Sequence, residues 1–275
     1  MGRPLLAAAG SLVDALVRRG AATLSADTPG AEPALFVATY RDFLWAAHMA
    51  LWQLILYENC YQEIAASGAR GPRLRFRRDL HIDHHIQLWH LLQELARDAP
   101  GKRAVRMVEV GVSNARVAEF LLKELPDLHY IGVDLYPQGA MGDGQVFDDP
   151  PEQRFLAARL RLMRFRTRAQ LLWADTPDVA PWVGDGSIDL VWIDANHNYE
   201  PALRELRAWI PKVRPGGVIA GHDYYTGVGV IRAVREAFAE HPPADGVLHL
   251  SPDHTYFWRP LPASSVGRAA ERRSV

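Results

Sequence analysis

The feature that most constrains this chain begins after Pro100 and Gly101, where short apolar runs alternate with amphipathic helical segments. The runs cover residues 106–111 (RMVEVG), 128–135 (LHYIGVDL), 169–175 (AQLLWAD), 188–194 (IDLVWID) and 217–221 (GVIAG). Near-continuously apolar centres are what parallel strands covered on both faces require. Helical spacing fills the intervals at 115–125, 153–165, 201–213 and 228–241, the last placing Ile231, Val234 and Phe238 on one face. Pro201 fits the first turn of its helix, where a missing N–H does no harm. Such alternation predicts an α/β, doubly wound, mostly parallel sheet. Residues 247–250 and 255–258 flank the turn SPDH with no helix between them, which predicts a C-terminal antiparallel hairpin at the sheet edge. Five parallel strands and this hairpin make a seven-stranded sheet.

Before residue 100 the texture is helical and offers no strand. Residues 34–67 read as one or two helices, and 81–98 as another, with Ile82, Ile86, Leu88, Leu91, Leu92 and Leu95 at mostly three- and four-residue steps. Between them residues 69–78 (ARGPRLRFRR) are basic and carry a Gly-Pro turn signal. The expected organisation is a helical N-terminal extension over 1–100, a strand–helix domain over 101–260, and a small, polar, disordered tail over 261–275. The extension is expected to cap the site or to build a homo-oligomer contact.

A hydrophobic content of 48% with 23% charged residues belongs to an ordinary globular chain. The single cysteine, Cys60, excludes an intramolecular disulfide. A net charge of −1 gives no general field for a phosphate backbone, so no nucleic acid partner is expected. The apolar stretch 45–56 is too short for a membrane span and contains His48 and Gln53, and no clean cleavage site follows residues 5–17. The expectation is a soluble, cytoplasmic protein with no membrane partner.

Three strand ends form a nucleotide-type constellation. The first strand runs into Glu109-Val-Gly111-Val-Ser113-Asn114-Ala115 and a helix begins at once. A glycine at such a turn admits close backbone approach, and the helix N-terminus attracts negative charge. Ser113 or Asn114 equally suits a plain helix cap. The second strand ends in Asp134, placed to accept hydrogen bonds from ribose hydroxyls, and the third in Asp175, placed for an adenine amino group. The fourth and fifth strands lead into Asp194-Ala-Asn196-His197-Asn-Tyr199 and His222-Asp223-Tyr224-Tyr225.

Residues from about 106 to 258 resemble the class I S-adenosylmethionine-dependent methyltransferases. The similarity rests on VEVGVSNARVAEFLL, IGVDLYP, SIDLVWIDANHNYEPALRELRAWIPKVRPGGVIAGHDY and GVGVIRAV. It is greatest to the branch holding small-molecule, metal-dependent sugar O-methyltransferases of macrolide type. Ser113 and Ala115 stand where further glycines are common in that family. The resemblance implies S-adenosylmethionine bound by Glu109, Gly111, Ser113, Asn114, Asp134 and Asp175. It implies a hydroxylated small molecule as acceptor, His197 as general base, and a divalent metal (Mg or Mn) at Asp194, His222 and Asp223. His222 replaces a usual carboxylate, and imidazole suits manganese, iron or zinc better than magnesium. Three alternatives stay open: a different ion, a substrate-positioning His222, or no metal.

Two rival functions share these features. A nicotinamide-dependent oxidoreductase uses the same strand–turn–helix, although no lysine follows a tyrosine by four residues. A non-catalytic cofactor-binding module of the same fold is the other. His81, His84, His85 and His90 include pairs at helical ligand spacing, but no glutamate completes a zinc-protease pattern; they read as a polar helix face or a wall over the active site. Asp149-Pro150-Pro151 resembles a DNA amino-methyltransferase motif but follows the wrong strand.

Overall fold

The computed structural model describes residues 73–76, 84–98, 103–140, 146–224, 229–251 and 253–261. The chain divides into two compact units, Met1–Glu58 and Asn59–Val275. The first unit, the helices expected over 34–67 and the expected tail beyond residue 261 lie outside the described residues.

In chain order the elements are β1 (Arg73–Phe76), α1 (His84–Arg97), β2 (Val105–Val110), α2 (Arg116–Glu124) and β3 (Leu128–Asp134). Two short strands follow, β4 (Gly139–Ala140) and β5 (Val146–Phe147), then α3 (Pro151–Leu162), β6 (Ala169–Trp173) and α4 (Thr176–Val179). The chain continues through β7 (Ile188–Ile193), α5 (Tyr199–Trp209), β8 (Val213–Gly221), α6 (Val230–Glu240), β9 (Val247–Leu250) and β10 (Tyr256–Trp258). Eight strands form one sheet in the order β1-β9-β10-β8-β7-β2-β3-β6, and β4 and β5 pair separately. β6, β3, β2, β7 and β8 are mutually parallel, and β10 runs antiparallel to both β8 and β9.

The doubly wound sheet and its hairpin are therefore as expected, with two corrections. A strand, β1, lies inside the basic stretch that was expected to hold none, and it pairs parallel with β9. The hairpin consequently does not form the sheet edge; β1 does. The 81–98 helix, expected within a separate extension ending near residue 100, is instead part of the sheet's own core. Its Leu88, Leu91, Leu92 and Leu95 follow the i, i+3, i+4, i+7 rule and are buried with Leu121, Leu122, Ala158 and Leu162 of α2 and α3. On α5 and α6, Leu203, Leu206, Trp209, Val234 and Phe238 are buried likewise.

The β7 strand carries one charge inside the sheet. Asp189 is fully buried and receives the Arg103 guanidinium on both oxygens, the Arg214 guanidinium and the Arg106 amide N–H at 2.8 Å. Burial alone would raise its pKa, yet these donors hold it below the usual carboxylate range. The native state thus binds this proton less tightly than the unfolded chain, so the stabilisation is present above the unfolded value and is lost as pH falls through the folded one. Replacing Asp189 by asparagine should cost about 3 kcal/mol, because arginines remain beside a buried site without their counter-charge. Urea unfolding at neutral pH checks this; an unchanged midpoint would show that the cluster adds nothing.

The sheet's winding fixes where a ligand can bind. From β2 the chain moves outward to β3 and β6, then crosses to β7 and β8 on the other side. The order reverses between β2 and β7, and open α/β sheets bind ligands in the crevice outside the carboxyl ends at that switch point.

Candidate active site

The turn after β2 is built from unusual backbone. Gly111, Ser113 and Ala115 all have positive φ, at 88°, 48° and 59°. Ala115 is the residue preceding α2 and makes no side-chain cap, so neither Ser113 nor Asn114 caps this helix. Left-handed backbone costs a residue with a Cβ roughly 1–2 kcal/mol, which gives a physical reason for glycine at these positions. Gly111 is restricted twice over: a Cβ on it would lie 2.0 Å from the carbonyl oxygen of Asp194. The turn after β2 and the start of the loop after β7 are thus in backbone contact.

Asp134, at the end of β3, holds the turn in place. Its Oδ2 accepts the N–H groups of Val112 and Ser113, both at 2.8 Å, and its Oδ1 accepts that of Tyr136 at 2.5 Å. A carboxylate buried this deeply is tolerated because three backbone donors surround it. Leu135 beside it is 52% exposed, an apolar surface on the same rim that the sequence did not single out. Glu109 sits below the turn, buried, and accepts a hydrogen bond from the equally buried Tyr130 hydroxyl. Burial pushes its carboxyl up to about 8, with the Asp194 and Asp134 charges adding and the Tyr130 hydrogen bond opposing. Buried with Tyr130, it underpins the turn from inside the sheet.

Asp175 precedes α4, and both its oxygens take the Arg204 guanidinium of α5, at 2.9 and 3.2 Å. The 137–150 loop carries the β4–β5 hairpin, and its base is fixed by Arg154, which donates to the Pro137 carbonyl and lies 4.3 Å from the Phe147 ring centroid.

The other half of the crevice follows β7 and β8. His197 Nε2 lies 2.8 Å from Asp223 Oδ2, and His222 Nδ1 lies 3.2 Å from Asp223 Oδ1. Asp223 serves two imidazoles, one on each oxygen, and its backbone is left-handed, with φ of 61°. The loops are tied by backbone bonds: His222 N–H to the Ile193 carbonyl at 3.1 Å, and Gly229 N–H to that of His197 at 2.7 Å.

The charges of this cluster are strongly coupled. Burial pushes Asp194 up to about 6; the His222 and His197 imidazoles oppose this and the Asp223 carboxylate adds to it. Burial would lower His222, but its hydrogen bond to Asp223 and the Asp194 charge raise it to about 9. Asp223 itself lies well below the ordinary carboxylate range, since the two imidazole hydrogen bonds outweigh its burial.

Ligand atoms of Asp194, His197 and Asp223 lie within 4.8 Å of one another. This differs from the expected set of Asp194, His222 and Asp223. With Asp223 between the two histidines, His222 turns instead toward His84 and Asp253, with which it makes a second such group. The sequence reads His84 as a polar helix face or a wall over the active site and gives Asp253 no role, and nothing in their spacing joins them.

Residues 108–224 match a family described as a methyltransferase domain. That match agrees with the methyltransferase part of the resemblance, and the strand order is that of the expected doubly wound sheet. Among solved structures, a TDP-rhamnose 3'-O-methyltransferase of calicheamicin biosynthesis is similar at 20% identity, with 66% of this chain and 81% of that one covered and a TM-score of 0.43. A protein from Corynebacterium glutamicum is similar at 16% identity, with coverages of 74% and 88% and a TM-score of 0.43. An N-methyltransferase from Haemonchus contortus in complex with S-adenosylhomocysteine is similar at 19% identity, with coverages of 48% and 27% and a TM-score of 0.34. The chain spans 44%, 63% and 27% of the lengths of three of the solved methyltransferase structures it is similar to. No curated protein sequence matches it. Among the described residues, no helix is long and apolar enough to cross a membrane.

Proposed function

We propose that this chain, with its methyltransferase domain over 108–224, transfers the methyl group of S-adenosylmethionine to a hydroxyl oxygen of a small molecule. The observation that carries the reading is the His197–Asp223 pair at 2.8 Å on the same rim as the Asp134-bound turn. Backbone contact between Gly111 and Asp194 makes the two halves one crevice.

The cofactor fits the first half. Gly111 lets the backbone come close, Asp134 supports the reading as the fixed carboxylate that would meet the ribose, and exposed Leu135 would offer an apolar platform for a purine. When bound, S-adenosylmethionine would supply an electrophilic methyl carbon on a positive sulfonium, whose bond to sulfur breaks as an aligned oxygen attacks, with S-adenosylhomocysteine as the leaving group.

The residues of the second half manage the acceptor's proton. Asp223 fixes the ring of His197 by accepting from Nε2, which leaves Nδ1 as the basic nitrogen. In this role His197 takes the hydroxyl proton as the oxygen attacks. A divalent ion also fits here: two carboxylates converge, and Asp194 is pushed up to about 6, chiefly by burial, with Asp223 adding to it. Asp194 and Asp223 would hold it, and its chemistry would be to lower the pKa of the acceptor hydroxyl.

The test is a screen of hydroxylated acceptors for S-adenosylhomocysteine formation, with calorimetric titration of S-adenosylmethionine and of NAD alongside. The expected result is binding of S-adenosylmethionine and turnover that exhaustive chelation abolishes and a divalent ion restores. Binding of NAD alone would overturn the reading. Turnover indifferent to chelation would remove the ion and leave His197.

A further inference from the structure

The second gathering of ligands lies outside the chemistry just described. His84 opens α1, and its ring stacks on buried Trp192 at 5.7 Å and an interplanar angle of 12°, with the His222 ring 4.9 Å away. Asp253 comes from the turn between β9 and β10. Three segments far apart in the chain therefore deliver two imidazoles and one carboxylate whose ligand atoms lie within 4.8 Å of one another.

Two features set this group apart from a chance meeting of polar side chains. Asp253 is 5% exposed, and its Oδ2 is buried with no hydrogen-bond partner among the described residues. Its Oδ1 is held by the Ser251 hydroxyl at 2.6 Å and the Thr255 N–H at 3.2 Å, so the carboxylate is oriented and one oxygen is left over. A buried carboxylate oxygen without a donor is costly, and a cation satisfies it. His222 also has the support that ligating imidazoles show, in which one ring N–H goes to a carboxylate while the other nitrogen meets the metal. Its Nδ1 is the nitrogen at Asp223, which presents Nε2 to the group.

We propose that His84, His222 and Asp253 form a binding site for a zinc-type divalent cation, separate from the cluster of Asp194, His197 and Asp223. Two nitrogens and one oxygen match the donor set of zinc sites with an open position, at metal–ligand distances of about 2.0–2.2 Å, and are poorly suited to magnesium. Such an ion ties the start of α1 to the end of β8 and to the hairpin turn. The site does not depend on the methyl-transfer reading: a chain that takes zinc here and never methylates satisfies it.

The full-length chain, stripped of metal, is titrated with zinc alone by calorimetry, beside the variants H84A, D253N and D194N. Cobalt(II) absorption serves as a second readout. The expected result is a zinc equivalent at this site, additional to any ion taken up at Asp194 and Asp223, that magnesium in roughly thousandfold excess does not displace. H84A and D253N should weaken that equivalent by about 100-fold or more and lose the corresponding cobalt band, while D194N keeps both. Circular dichroism of H84A, whose residue lies at a helix end, confirms that the loss is not unfolding. Should H84A and D253N bind zinc as the wild type does, or D194N alone abolish uptake, the site is wrong. A wild-type chain that takes no zinc also overturns it.

Discussion

H197A is expected to slow S-adenosylhomocysteine formation by about 10²–10⁴-fold, the usual contribution of a positioned general base. Its affinity for S-adenosylmethionine should stay within about twofold, because only interactions made at the reacting centre are removed. The imidazole reaches the crevice through its bond to Asp223 at 2.8 Å, so D223N should lower turnover as well by releasing the ring. The pH profile separates the two roles. A base that must be unprotonated gives H197A a rate that rises with hydroxide where the wild type has levelled off, and added imidazole restores part of the loss. A variant with wild-type turnover would remove His197 from the mechanism, whatever holds for the cofactor.

G111A is expected to destabilise the domain by about 4 kcal/mol, combining overpacking with left-handed strain. Each part follows from a separate observation. The φ of 88° is one that alanine rarely adopts, and the added carbon would lie 2.0, 2.6 and 2.8 Å from backbone atoms of Asp194 and Ala195. No side chain can swing aside to relieve this, since all three of these neighbours are main chain; the β2 and β7 ends have to separate. Thermal unfolding reads the loss, and calorimetry on whatever remains folded should find S-adenosylmethionine affinity reduced at least tenfold. A variant as stable as the wild type would show that the turn is pliable and not fixed by Asp134.

Most of the sheet was legible because its strands are buried on both faces, and burial writes continuous apolar runs such as MVEV and IDLVWI into the chain. β1 was hidden for the converse reason. RLRF alternates arginine with apolar residues inside an arginine-rich stretch, and an edge strand needs only one covered flank. The separate status given to the 81–98 helix came from position alone, whereas its leucine stripe already described a face that had to be buried. Within the site, Asp134, Asp194, His197 and Asp223 could be placed because each ends or follows a strand. The pairing of Asp175 with Arg204 and the turning of His222 toward His84 could not, since both depend on side chains from other elements. Ser113 and Ala115 concealed their left-handed backbone, which glycine would have announced.

The pairing of β1 has a consequence for the order in which the protein assembles. Arg73 lies opposite Val247 and Phe76 opposite Leu250, so this segment waits for a partner 174 residues further along the chain. Closing so long a loop carries an entropic cost that is repaid only once both ends are rigid. The central parallel strands, joined by short helical crossovers, can therefore dock while the C-terminal hairpin is still unformed, and β1 zips on afterwards. Refolding should accordingly finish at the flank that β1 supplies, with amides of residues 73–76 the last in the sheet to gain protection from hydrogen exchange.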